Sequence, residues 1–203
     1  MPVRAIFFDY DGVLTLDTSG SLTTNRFVSE RSGIPYDRVA NAFRRHNQAL
    51  NEGASSYAEI WPAVCADLEC DLPLDLLMEA FASTPINEPM LQLARYLRRR
   101  CHVGIITDNK MDRMEYLTRH QRLRDVFDPI IVSAEVGATK TDGRIFQAAL
   151  RALRVDAADS VFIDNTASNL IAASALGMKT VWFDEKTNDV SRLAQRLAVD
   201  FGV

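Results

Sequence analysis

Short apolar runs rich in β-forming residues recur along the chain and predict buried strands. The first run reads VRAIFFD and is followed by a polar turn at Asp11 and Gly12. No second convincing run occurs before residue 102, and from there they alternate with helical patterns. The predicted strands cover residues 3–9, 102–107, 129–133, 160–164 and 178–183.

Helical periodicity fills the intervals between the later strands. The predicted helices cover residues 88–99, 110–120, 142–153, 167–175 and 190–198. Strands that alternate with helices of this length imply crossover connections, because a parallel strand is reached only by returning across the sheet. The pattern therefore predicts an α/β fold with a doubly wound parallel sheet of Rossmann-like type.

The segment after the first strand contains helical patterns only. They cover residues 24–32, 36–51, 56–68 and 74–82. Pro62 should either kink the third of these helices or mark its true start. An all-helical block inserted after the first strand of a parallel sheet is most simply a lid. We therefore expect an α/β core from residues 1–18 and 86–203, and a helical cap from residues 19–85.

Acidic side chains stand at two predicted strand ends, on the edge where open parallel sheets bind ligands. Asp9 ends the first strand and Asp11 follows it by two residues, so continued strand geometry would place both on one side. Asp164 ends the fourth strand. Clustered carboxylates repel one another, and a divalent cation relieves the repulsion. Mg²⁺ suits such a site because it combines few protein carboxylates with water and phosphate oxygens.

A hydroxyl and an amine are expected beside these carboxylates. Thr107 ends the second strand, and Lys140 lies in the loop after the third. Together they offer a hydrogen-bond donor and a positive charge to the oxygens of a phosphoryl group. The strand ends thus predict a site in which one carboxylate attacks while another handles a proton.

Four segments together resemble the motifs of the haloacid dehalogenase-like hydrolase superfamily. They are FFDYDGVLT at residues 7–15, ITDN at 106–109, KTDGRIF at 140–146 and FIDN at 162–165, in the family's order. The resemblance spans the whole predicted core and implies a member with a C1-type helical cap after the first motif. It further implies a magnesium-dependent phosphatase that hydrolyses a small phosphorylated metabolite through an aspartyl-phosphate.

The resemblance also implies a role for each motif residue. Asp9 would be the nucleophile, and Asp11 the acid/base that protonates the leaving oxygen and then activates water. The metal ligands would be Asp9, Asp164 and Asp11, the last through its backbone carbonyl. The residues that would hold the phosphoryl group are Thr107, Asp108 and Lys140.

Two positions depart from the family pattern. Thr141 replaces a proline that often follows the motif lysine, which should affect only the stiffness of the loop. Asn165 stands where many members have a second aspartate. The change removes one negative charge from the metal site and should weaken Mg²⁺ binding. Asn165 would either touch the outer ligand sphere of the metal or cap the helix that follows.

Three functions remain possible for a chain with these residues. A phosphatase is favoured over a phosphomutase of the same superfamily and over a catalytically weak relative kept as a binding or regulatory subunit. Asn165 favours the weak relative, whereas intact Asp9 and Asp11 argue against it. Asp11 also argues against dehalogenase chemistry, because dehalogenase members typically lack this carboxylate. The substrate contacts expected in the cap are Arg44, Arg45 and His46.

The composition restricts the possible binding partners, but it does not restrict the reaction. The 203 residues carry a net charge of −4, which argues against broad nucleic-acid binding because that needs a basic face. No apolar run approaches a membrane span, no leader precedes the first strand, and three cysteines cannot all pair. We therefore expect a cytoplasmic monomer or homodimer that binds a small phosphorylated metabolite, and neither nucleic acid nor membrane.

Overall fold

The computed structural model describes residues 3–203. They form a five-stranded parallel sheet covered by helices, which confirms the predicted fold class. The order across the sheet is β3-β2-β1-β4-β5, so the first strand is central and later strands flank it on both sides. The strands are β1 Ala5–Phe8, β2 His102–Thr107, β3 Ile130–Val132, β4 Ser160–Asp164 and β5 Lys179–Trp182.

The α-helices fall into two groups along the chain. Those between β1 and residue 83, together called the helical insert, are α1 Gly20–Ser32, α2 Tyr36–Arg44, α3 Asn47–Asn51, α4 Tyr57–Leu68 and α5 Asp75–Ala82. The others are α6 Glu88–Leu97, α7 Met111–His120, α8 Ser133–Val136, α9 Gly143–Leu153, α10 Asn169–Ala175 and α11 Val190–Phe201. Within residues 3–203, no helix is both long and apolar enough to cross a membrane.

Strand β1 sends its side chains alternately to two hydrophobic clusters. Ile6 and Phe8 pack into the larger cluster, Ala5 and Phe7 into the smaller one, and all four are fully buried. A strand covered by helices on both faces needs a continuous apolar run rather than an alternating one. This requirement explains the sequence AIFF and the central position of β1.

Two adjacent connections join the helical insert to the rest of the chain. Thr15 and Ile86 form an antiparallel bridge between these connections. The insert also shares the larger hydrophobic cluster. The ring of Phe81 in α5 lies 5.4 Å from that of Tyr57 and 6.1 Å from that of Tyr116 in α7. The insert therefore packs against the rest of the chain through α7, and its own buried aromatic side chains continue the larger cluster.

The predicted helix over residues 36–51 is in fact two helices, α2 and α3. The His46 N–H donates to the Phe43 carbonyl, only three residues back, and this tighter turn ends α2. The break lets α3 approach α8, where the Ser133 hydroxyl donates to the Asn51 carbonyl at 2.7 Å. A tertiary contact has thus divided a segment that is helical by its pattern alone.

Pro62 lies inside α4 and does not mark its start. The helix begins five residues earlier, at Tyr57, behind a capping box in which Ser56 and Glu59 exchange hydrogen bonds. The capping box satisfies the first N–H groups of the helix, and this local signal sets the boundary instead of the proline.

Candidate active site

The carboxyl ends of β1 and β4 bring Asp9 and Asp164 around one cation. Lys140 Nζ lies 2.8 Å from Asp9 Oδ1 and 2.7 Å from Asp164 Oδ2. The Lys140 side chain is only 2% exposed. Asp9 N–H donates to the Ile163 carbonyl at 2.8 Å, which extends the β1–β4 ladder by one residue. This register places the two carboxylates at the same edge of the sheet.

Burial and charge shift the pKa values of this group in opposite directions. Burial raises the pKa of Asp9 to about 7, a shift that Lys140 opposes and Asp164 reinforces. Burial alone would lower the pKa of Lys140, but the carboxylates of Asp9, Asp164 and Asp108 outweigh it and raise that pKa. Lys140 therefore remains a cation at neutral pH, whereas Asp9 titrates close to neutrality.

Backbone and amide donors fix the orientation of the fully buried Asp164. Its Oδ1 accepts the Thr166 N–H at 2.7 Å, and its Oδ2 accepts from Asn169 Nδ2 at 3.1 Å. Asn169 is the first residue of α10, so the loop after β4 folds back onto the carboxylate. These donors offset the cost of burying the charge.

Asp11 lies in the same pocket, but its carboxylate contacts a different cation. Arg113 in α7 donates from Nη1 to Asp11 Oδ2 and from Nη2 to Asp11 Oδ1, both at 2.9 Å. Asn109 Nδ2 donates to Asp11 Oδ2 at 2.8 Å. Burial alone would lower the pKa of Arg113, but Asp11 outweighs it and raises that pKa. The pair is a buried, bidentate salt bridge.

The same guanidinium contacts both connections of the helical insert. Arg113 Nη2 lies 3.4 Å from Thr84 Oγ1, which follows α5. A Cβ added at Gly20, where α1 begins, would lie 2.3 Å from the guanidinium carbon. Glycine is required at position 20 because the Arg113 guanidinium fills the space that any larger side chain would need.

Thr107 ends β2 and Asp108 follows it, on the side of β1 opposite β4. Asn109 Nδ2 lies 3.4 Å from the buried Thr107 Oγ1. Asp108 Oδ1 accepts the Lys140 N–H at 2.8 Å, so it holds the loop that carries Lys140 against the end of β2. Burial raises the pKa of Asp108, and Lys140 opposes that shift.

Asn165 packs on the turn that follows Asp11. Gly12 in this turn has φ +78°, and a Cβ added there would lie 2.4 Å from Asn165 Nδ2. The close approach and the positive φ both require glycine. Asn165 does not directly precede a helix, since α10 begins at Asn169 after Ser168. Its side chain therefore borders the pocket instead of capping α10.

A pocket of about 220 Å³ lies over this edge of the sheet, between the sheet domain and the helical insert. Every lining residue is polar or glycine. The lining residues are Asp9, Asp11, Thr18, Ser19, Gly20, Ser21, Asn47, Asn51, Thr107, Asp108, Lys110, Lys140, Asn165, Thr166 and Asn169. Most of the strand-end residues predicted from the sequence thus line one cleft, whereas the fully buried Asp164 contacts Lys140 without lining the pocket.

The predicted basic contacts Arg44, Arg45 and His46 do not line this pocket. Arg44 and Arg45 are exposed, and Arg45 pairs with Asp67 at 2.8 Å on the surface of the insert. The insert instead presents Asn47 and other small polar residues to the pocket. A charged run in the sequence does not reveal which side of a helix faces the cleft, and here it faces solvent.

Sequence reasoning missed several residues of this site. Asn109, Lys110 and Arg113 lie two, three and six residues after Thr107, so the strand-end rule that selected Thr107 could have been extended to the first turn of α7. Asn47 and Asn51 are four residues apart, on one face of α3. That spacing is a signal, although it does not say what the face contacts.

The donor set at the strand ends fits a hard divalent cation. Asp9 and Asp164 present carboxylate oxygens to one Lys140 ammonium, and Asn165 adds an amide beside them. Among the described residues, no three His, Cys, Asp or Glu side chains form a metal cluster. The Asp11 carboxylate contacts Arg113 instead. Two carboxylates are nevertheless enough for Mg²⁺, which keeps several waters and binds substrate phosphate.

Comparison with known proteins gives one consistent family. A sequence model of the haloacid dehalogenase-like hydrolases matches residues 3–177. Bifunctional epoxide hydrolase 2 of Rattus norvegicus is 26% identical over 223 residues, an alignment that covers 99% of this chain and 40% of the rat protein. Glyceraldehyde 3-phosphate phosphatase of Pyrococcus abyssi is 30% identical, with 89% of this chain and 81% of the archaeal protein covered. The chain thus spans less than half of the rat relative.

A solved structure shares the fold over nearly the whole chain. The HAD family enzyme bt-2542 of Bacteroides thetaiotaomicron, in complex with magnesium and inorganic phosphate, gives a TM-score of 0.72. The match covers 89% of this chain and 93% of that one, at 19% identity. Similarity at this level of identity shows a common fold.

Proposed function

Because the chain belongs to the haloacid dehalogenase-like hydrolase family, we propose that it is a magnesium-dependent phosphatase. It would hydrolyse a small phosphorylated metabolite through an aspartyl-phosphate. The observation that carries the proposal is the buried group of Asp9, Lys140 and Asp164 beside a polar pocket. A carboxylate next to a fixed cation suits attack on a phosphate ester, whose negative charge would otherwise repel the nucleophile.

The first half-reaction transfers the phosphoryl group to the protein. An oxygen of the Asp9 carboxylate forms a bond to phosphorus while the bond from phosphorus to the leaving oxygen breaks. Asp9 Oδ1 already accepts the Tyr10 N–H at 2.7 Å and lies beside Lys140, so Oδ2 is the better candidate for attack. Lys140 and the Thr107 hydroxyl stabilise the phosphoryl oxygens, and Asp11 gives its proton to the departing alcohol.

The second half-reaction restores the nucleophile. Water attacks phosphorus, its proton passes to the Asp11 carboxylate, and the bond from phosphorus to Asp9 breaks to release inorganic phosphate. Asp11 must therefore be protonated at the start of each cycle. Its bidentate contact with Arg113 occupies both oxygens of the carboxylate. We expect Asp11 to give up one of these hydrogen bonds when it serves the leaving oxygen.

The residues that would hold Mg²⁺ are Asp9, Asp164 and Asp11. Asp11 would contribute its main-chain carbonyl, because its carboxylate contacts Arg113. When bound, the ion supplies positive charge that neutralises the transferring phosphoryl group. The bt-2542 structure contains magnesium and inorganic phosphate, and the name of the archaeal relative is a phosphatase. The first supports a magnesium site, and the second supports a phosphatase reaction.

The helical insert would act as the cap of this enzyme, over residues 19–85, with the catalytic core in residues 1–18 and 86–203. It would exclude bulk water while the aspartyl-phosphate exists. A pocket of about 220 Å³ is smaller than a pocket for a drug-sized ligand. It suits a small polar metabolite better than a phosphorylated protein.

The test is a screen of phosphorylated metabolites with and without Mg²⁺, comparing the wild type with Asp9→Asn. We expect turnover to require the metal and to fall at least about a thousandfold in the variant, as it does when a nucleophile is lost. Asp156→Asn, at an exposed position outside the pocket, is the matched control and should retain full activity.

The products and the negative results of the same screen separate the alternatives. Release of inorganic phosphate identifies a phosphatase, whereas an isomeric sugar phosphate identifies a mutase. Undiminished turnover by Asp9→Asn would reject the nucleophile. A wild type that is inert toward the whole panel would favour a binding subunit.

A further inference from the structure

Lys110 is a buried cation of the pocket that the proposed mechanism does not use. It lies directly before α7 and is 7% exposed. Its Nζ lies 3.2 Å from the Ser21 hydroxyl of the helical insert, and both residues line the pocket. Within residues 3–203 its ammonium forms no ion pair, whereas Lys140 and Arg113 each contact a carboxylate.

An ammonium buried beside one neutral hydroxyl is costly, because the lost hydration is replaced by a single weak partner. Burial, reinforced by the nearby charge of Arg113 and opposed by the carboxylates of Asp11 and Asp108, lowers the pKa of Lys110 to about 8. At pH 7 the charged form still exceeds the neutral amine by about tenfold. The pocket therefore presents a positive charge that no carboxylate of the described residues contacts directly, although Asp11 and Asp108 lie nearby.

The surroundings of Lys110 indicate where such an anion would come from. Lys140, at the strand ends, already serves the phosphoryl group that reacts. Lys110 contacts Ser21, on the side of the pocket formed by the insert, where the rest of the substrate must extend. Asn47 and Asn51 line the same side, and no apolar side chain does.

We propose that Lys110 binds a second anionic group of the substrate. The preferred substrates would be small phosphate monoesters that carry a carboxylate or a second phosphate at the end away from the reacting phosphoryl group. This inference rests on the proposed phosphatase function and deepens it. A cation so placed discriminates among phosphate esters, because a neutral tail would leave it without a partner.

Two matched pairs of substrates test the inference. Glyceraldehyde 3-phosphate and 3-phosphoglycerate differ by an aldehyde against a carboxylate, and dihydroxyacetone phosphate and its bisphosphate differ by the second phosphate. We expect the wild type to prefer at least one charged member. In Lys110→Met, kcat/KM for that member should fall about 10- to 100-fold through KM, the loss expected for a charged hydrogen bond. Values for the neutral member should change less than about threefold.

Two further variants control for folding and for general charge effects. Lys186→Met makes the same chemical change at an exposed position outside the pocket and should alter neither pair. Lys110→Gln keeps a polar side chain of similar length and should reproduce the selective loss if Lys110→Met fails to fold. The pair that responds identifies the anion as a carboxylate or a phosphate.

A binding measurement separates this inference from the proposed function. In the Asp9→Asn background, calorimetry should show weaker binding of the preferred charged substrate after Lys110→Met, with the neutral member unaffected. Such selective loss, together with a wild type that hydrolyses neither compound, would refute the phosphatase but keep the anion site. Equal loss for both members would show that Lys110 binds the reacting phosphoryl group and would overturn the inference. A wild type that prefers the neutral members would overturn it as well.

Discussion

The buried pair of Asp11 and Arg113 allows a quantitative prediction about unfolding. Arg113→Met removes two charged hydrogen bonds from a carboxylate whose side chain is 11% exposed. Removing one partner of a buried ion pair costs about 3–5 kcal/mol, because the other charge remains buried. Asp11 borders the pocket, so water can partly replace the guanidinium. We therefore expect a loss near the lower limit, about 3 kcal/mol.

The reverse substitution should cost more. Asp11→Asn leaves the guanidinium of Arg113, whose side chain is 0% exposed, without a counter-ion. Arg113 Nε already lacks a hydrogen-bond partner within the described residues. Few other hydrogen bonds can therefore offset the loss of the carboxylate. Water cannot reach the guanidinium from the pocket as it reaches Asp11. We expect a loss toward the upper limit of the range, about 4–5 kcal/mol.

The double variant separates the pair from its surroundings. Arg113→Met combined with Asp11→Asn leaves no buried charge, so its loss should be smaller than the sum of the two single losses by about 3 kcal/mol. Urea unfolding of the wild type and the three variants measures this coupling energy. The exposed pair of Arg122 and Asp125, at 2.8 Å, provides a control cycle that should give about 0–1 kcal/mol. Additive losses at Asp11 and Arg113 would refute the reasoning.

Two predictions concern the metal site. Burial raises the pKa of Asp9 to about 7, so below that pH a proton occupies the carboxylate and competes with Mg²⁺. The apparent Kd for Mg²⁺ should rise about tenfold from pH 8 to pH 6 and level off above pH 8. Titration calorimetry measures it, and a flat profile would contradict the assignment of Asp9 as a ligand. Asn165→Asp adds a negative charge to the same pocket, worth about 1–2 kcal/mol toward a divalent ion roughly 4–8 Å away at the dielectric constant of bulk water, near 80. Its Kd for Mg²⁺ should therefore fall roughly five- to thirtyfold, and an unchanged value would place Asn165 outside the influence of the ion.

The same apolar runs that predicted the sheet also predicted the part of the site that lies at the strand ends. The run AIFF is typical of a strand buried on both faces, and in an open parallel sheet ligands bind at the carboxyl ends of such strands. Asp9, Asp164 and Lys140 follow from that rule, because adjacent parallel strands end at a common edge. Backbone topology alone was enough to bring these side chains together.

The contacts of Asp11 could not be predicted in this way. Strand periodicity would place Asp11 on the same side as Asp9, but the chain leaves the strand at Tyr10 and turns through Gly12 at φ +78°. The carboxylate then contacts α7, whose rotation about its own axis depends on the packing of Tyr116 against Phe81 of the insert. Helical periodicity defines a face and leaves the direction of that face to tertiary packing.

The position of the helical insert and the orientation of Asp11 depend on one guanidinium. Arg113 donates to Asp11, contacts Thr84 at one connection of the insert and fills the space above Gly20 at the other. Protein interiors are close-packed, so a group with neighbours on every side cannot absorb a displacement of one of them alone. A movement of the insert that shifts either connection must change the contacts of the guanidinium, and through them the position of the carboxylate. Substitutions at Gly20 should therefore couple energetically to substitutions at Asp11, although the two residues belong to different elements of the fold.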